Sequence, residues 1–98
     1  MDKATAAQRT PTLVVEYLGP DDFAGKVLHR AAKYLDAGVQ LLWQIDTYDQ
    51  CAIVHRASGN PYVVEAGGEL TGEGVIPGLH CPVNDFLLPK EAPNDWCI

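Results

Sequence analysis

Leu13-Val14-Val15-Glu16-Tyr17-Leu18, closed at once by Gly19-Pro20, is the stretch on which the reading of this chain turns. Apolar and β-branched residues in a short run bounded by a turn pair predict a strand. Glu16 is the exception within it. Burying an unpaired carboxylate is costly unless a cation, a metal or a proton compensates the charge. The residues alone leave two arrangements open. Either one strand face meets solvent and carries Glu16 beside Val14 and Leu18, or the acid lies inside and has a partner.

Working outward, Asp21 or Asp22 is placed to cap a helix, because a carboxylate there accepts orphan N–H groups of the first turn, and Gly38 is the matching stop. Phe23, Val27, Ala31 and Tyr34, with Ala24, Leu28 and Leu35, share an arc of about 140° at 100° per residue, which predicts the face turned to a sheet or a partner. Lys26, His29, Arg30 and Lys33 form a basic arc on the other side, with Arg30 at its edge. Such an arc is either a solvated face or a surface for anions.

Val39 to Asp46 reads as a second strand, Thr47 to Gln50 as a turn, and Cys51 to Arg56 as a third strand. Ser58-Gly59-Asn60-Pro61 is strong turn chemistry, and Tyr62-Val63-Val64 returns from it. Residues 39–65 therefore predict an antiparallel meander, while strand, helix and strand over 13–46 predict a right-handed βαβ unit with parallel strands. The expected class is α/β (α+β), a mixed sheet with one main helix. Residues 1–10 read as a flexible leader, 11–88 as a single domain, and 89–98 as a C-terminal tail in which Trp96 and Cys97 pack loosely. Within the domain, Gly67 to Pro82 is rich in glycine and proline, and Val83 to Leu88 predicts a short turn of helix.

Ninety-eight residues with 47% hydrophobic and 20% charged residues suit one modest globular domain. A formal net charge of -6 opposes a phosphate backbone, so DNA binding is expected to be weak. Cys51, Cys81 and Cys97 show no C-x-x-C pair and read as reduced thiols; His80, adjacent to Cys81, reads as structural. Neither an apolar signal region nor a membrane-length apolar run occurs, and the expected location is the cytoplasm.

Pro11 to Pro20, the helix end Tyr34-Leu35-Asp36-Ala37-Gly38-Val39, and Leu42-Trp43-Gln44-Ile45-Asp46 together resemble the Uma-two family of restriction endonucleases, in the PD-(D/E)xK nuclease superfamily. Cys51 to Arg56, Val75 to Leu79 and Pro82-Val83 agree with its later segments. The resemblance implies a restriction-endonuclease-like core in which carboxylates on neighbouring strands hold Mg²⁺. It assigns Glu16 as metal ligand and catalytic acid, and places Arg30, fourteen residues on, where the family carries its displaced lysine. Lys26 and Lys33 flank that position by one helical turn.

Departures from the family pattern are as informative. Arginine replaces lysine, Gly19 stands in place of a serine, and the upstream strand bearing the PD aspartate has no counterpart, since Asp2 lies in the polar leader. Asp46 reads as a turn residue. The expectation is a shortened, degenerate member with Arg30 pairing Glu16, acting through a homo-oligomer or a partner chain that covers the sheet. The alternatives are an active Mg²⁺-dependent DNA endonuclease completed by another subunit, and a binding module using the basic arc.

Overall fold

The computed structural model describes residues 10–87 and the backbone of 95–97. Leader residues 1–9, Asp2 among them, and the tail residues 88–94 and 98 lie outside the described residues. Chain order is β1 (Leu13–Tyr17), α1 (Ala24–Asp36), β2 (Leu41–Asp46), β3 (Cys51–Arg56), β4 (Gly59–Glu65), β5 (Glu69–Thr71), β6 (His80–Pro82), a short 3-10 helix (Val83–Phe86) and β7 (Asp95–Cys97). The main sheet runs β4-β3-β2-β1-β7, and β5 pairs with β6 in a separate hairpin.

The βαβ unit and the meander are both present. β1 and β2 are parallel, with Leu13 opposite Leu41 and Tyr17 opposite Ile45, whereas β2-β3 and β3-β4 are antiparallel. Alternation along β1 and β2 divides their side chains between two covered faces, which is why both read as continuous apolar runs. One face carries Leu13, Val15, Leu41, Trp43, Ile45, Ala52 and Val54 against Leu70, Val83 and Phe86. The other carries Val14 and Leu42 against Ala31 and Val39.

Several details differ from the sequence reading. Helix α1 starts at the N-cap Phe23 with no side-chain cap, so neither Asp21 nor Asp22 caps it. The helix buries Val27 and Ala31 and half-buries Tyr34 and Leu35, while Phe23, Ala24 and Leu28 of the apolar arc face outward. A helix lying over just β1 and β2 needs only a narrow stripe, and the remaining arc overhangs uncovered strands. Gly38, with φ +104°, does end it, donating to the Leu35 carbonyl at 3.0 Å. Strand β2 begins at Leu41 rather than Val39, and β4 begins already at Gly59. The glycine-rich segment 67–82 folds as the β5-β6 hairpin, whose Leu70 closes the main core. Gly72 permits this, because a Cβ there would collide with the Ile76 carbonyl.

Beneath α1 lies a buried polar link. Gln44 donates from Nε2 to the Val27 carbonyl at 3.1 Å, leaving Oε1 to accept from His55 Nε2 at 2.6 Å. Both side chains are buried, and burial pushes His55 below its usual range. An unfolded chain therefore takes up the His55 proton first as pH falls below about 6.5, and stability present above that value is lost on the way down. Urea denaturation followed from about pH 8 to about pH 5 is expected to show this slope, at most about 1.4 kcal/mol per pH unit, and His55→Gln to flatten it.

Candidate functional site

Glu16 and Val14 alternate with Leu13 and Val15 along β1, so Glu16 faces α1, where it is 4% exposed. Two helical turns into α1, Arg30 projects back across the same face. Its Nε donates to Glu16 Oε2 at 2.5 Å, and Nη2 contacts that oxygen as well. The fork then reaches a second acid. Nη1 donates to Asp22 Oδ1 at 2.9 Å and Nη2 to Oδ2 at 3.2 Å, a bidentate arrangement matched to the planar guanidinium.

Local turn chemistry sets Asp22 in place. Gly19-Pro20-Asp21-Asp22 closes on a hydrogen bond from the Asp22 N–H to the Gly19 carbonyl at 3.1 Å, with proline at its favoured second position. In return the Gly19 N–H donates to Asp22 Oδ2 at 2.8 Å. Arg30 first, and then Gly19, hold the Asp22 carboxyl down at about 2, and the same ion pairs push the Arg30 guanidinium above its usual value.

Of the cations read from the sequence, Arg30 alone joins Glu16. Lys26 is exposed, its Nζ 5.9 Å from the centre of the Phe23 ring, and Lys33 and His29 are exposed on the outer side of α1. Asp46 acts as a turn residue, accepting from the N–H groups of Tyr48 and Asp49 at 3.0 Å each. Asp22 was missed as a site residue. Helical periodicity gave no signal for it, because Asp22 lies in the turn before α1 rather than on the helix.

As arranged, these donors fit a guanidinium rather than a hydrated Mg²⁺. Octahedral Mg²⁺ needs open carboxylate oxygens and room for its waters, yet both acids here bind Arg30, and no grouping of three or more metal-binding side chains occurs among the described residues. Beside Asp22 runs an open groove of about 380 Å³, floored by Leu18, Val27 and Ile53 and rimmed by Asp22, Asp46 and Asp49. On the other side of β1, the ladder sets Asp95 of β7 at the register position opposite Glu16.

A structure from Anabaena variabilis ATCC 29413, described as a "putative nuclease belonging to DUF820", has a similar fold, with a TM-score of 0.66 and 26% identity. DUF820 is the Uma-two family. The likeness covers 80% of this chain but 44% of that one, so this chain spans less than half the length of its neighbour. It bears out the expected class, an α/β mixed sheet with a restriction-endonuclease-like core. No family model and no curated protein matches the chain.

Removing one member of a buried ion pair strands the other charge, whereas replacing both with apolar groups is tolerated. Arg30→Met is thus expected to lower the unfolding free energy by about 3 kcal/mol, the low end for such a change because Arg30 keeps some solvent contact. The double variant Glu16→Leu/Arg30→Met is expected to lose less, and urea denaturation of the pair measures this non-additivity. Asp22 supplies stability above the ordinary carboxylate range that is lost as pH falls towards about 2, and Asp22→Asn is expected to remove that part of the acid limb.

Proposed function

We propose that this chain is a nuclease-related domain that does not cut nucleic acid and works by association, as a homo-oligomer or with a partner chain. One observation carries the reading: the acid that the nuclease resemblance assigns to a metal is bound instead by Arg30, which Asp22 holds in place. Guanidinium is a fixed, permanent cation, so the carboxylate's charge is compensated without an ion from solution. The net charge of -6 and the acidic groove rim add repulsion towards DNA, leaving Lys26, His29 and Lys33 as a weak, salt-sensitive contact. Free thiols at Cys51 and Cys81 suit a reducing cytoplasm.

A second reading has its own observation. Asp95 stands opposite Glu16 in the ladder, and an active Mg²⁺-dependent DNA endonuclease would need a second acid from a neighbouring strand or another subunit. Supercoiled plasmid incubated with Mg²⁺ or Mn²⁺ separates the two. Neither the parent chain nor Glu16→Gln is expected to nick it above the protein-free blank. Cleavage by the parent chain that disappears in both Glu16→Gln and Asp95→Asn would replace the first reading with the second.

A further inference from the structure

The two edges of the main sheet are treated differently. β7 lies along β1, whereas β4 at the far edge has β3 as its single ladder partner among the described residues. All seven residues of β4 are exposed or half-exposed, and Gly59 to Val64 carry no charge. An uncharged edge of this length presents unpaired backbone groups to any other strand.

Hydrogen-bond alternation shows which groups these are. Beyond the end of β4 the Ala66 N–H bonds to the Gln50 carbonyl at 3.0 Å, so stepping back by twos, Val64 and Tyr62 turn their backbone groups to β3. Glu65, Val63 and Pro61 turn theirs outward. Proline is tolerated here because its missing N–H falls on the open side. The strand is also held ready: Tyr62 donates its hydroxyl to Glu73, Arg56 Nη1 donates to the same carboxylate at 3.1 Å, and the Arg56 guanidinium lies over the Tyr62 ring at 5.0 Å. A preordered edge loses little freedom on pairing.

We infer that β4 pairs with β4 of a second copy of this chain, antiparallel about a two-fold axis at Val63, an inference that rests on the association reading above. Centred there, the two Val63 residues exchange N–H and C=O, and each Glu65 N–H meets the opposing Pro61 carbonyl. The other registers centred on an outward-facing residue fail. A Pro61 centre has no donors to exchange, and a Glu65 centre sets two carboxylates side by side. The Val63 side chain, 55% exposed and paired with Ile53 on the face that α1 leaves uncovered, buries its apolar surface against its own copy. The strand is thus complementary to itself, and the small interface makes a weak, concentration-dependent dimer.

Sedimentation velocity of the full chain with reductant, from micromolar to millimolar concentration, reads this out. A monomer-dimer equilibrium is expected, weakened at least tenfold by Val63→Lys, which sets like charges together at the axis. Val63→Pro, which deletes the outward N–H and spares the β3 ladder, is expected to do the same while circular dichroism stays unchanged. If Val63→Pro unfolds, Val63→Lys decides. Leu28→Ser, on the exposed side of α1, is expected to leave the equilibrium alone. A monomer throughout the range, a dimer indifferent to Val63→Lys, or one lost only in Leu28→Ser would each overturn the β4 assignment. Failure of the non-cutting reading shows separately, as Glu16-dependent plasmid cleavage.

Discussion

A carboxylate buried under a helix and bound by a guanidinium from that helix is the constraint around which this fold is arranged. Glu16 cannot lie at 4% exposure on β1 without a compensating cation, and Arg30 supplies one from α1, tying strand to helix across the βαβ crossover. Asp22 extends the tie to the intervening turn. One guanidinium thereby connects β1, the turn at Gly19 to Asp22, and α1, the first half of the β1-α1-β2 crossover. The helix buries Val27 and Ala31 and packs through Ala31 and Tyr34 on Val14, Val39 and Leu42, so the ion pairs add to an apolar contact of modest size.

The same tie shapes the chemistry. Oε2 of Glu16, which accepts from this fixed fork, has its lone pairs directed at N–H groups rather than at an ion and its waters. Glu16 lies on β1, and the helix that follows it, α1, brings in the cation that binds it. The arginine fork closes this arrangement, because its two terminal nitrogens let it take Asp22 as well as Glu16. The rest of the domain is conventional by comparison. A meander extends the sheet from β2 to β4, and residues 66–87 wrap back over Trp43, whose ring meets Phe86 edge-on with centroids 5.9 Å apart.

Strands over 13–17, 41–46 and 51–56, the helix over 24–36, and their parallel and antiparallel relations were legible in the sequence, because each rests on local periodicity and turn residues. The Glu16-Arg30 pair was legible too, through an acid out of place in a strand and a cation at the edge of a helical arc. Less visible was the β5-β6 hairpin, where glycine and proline hid three-residue strands whose pairing partners are about ten residues apart. Helix burial was overestimated for a related reason: periodicity shows which residues share a side of α1, not how wide a surface lies beneath them.

By itself, the sequence determined which segments are strand and helix, that strands and helix build a mixed sheet, and that Glu16 needed a partner, since these follow from local pattern and the cost of burying charge. Only the tertiary structure decided that Asp22 serves Arg30 rather than the helix end, that Leu28 and Phe23 face outward, and that β4 pairs on one side alone among the described residues. Those outcomes depend on where α1 sits over the sheet and which strand neighbours which. Such placements come from contacts between residues distant in sequence, and no local pattern encodes them.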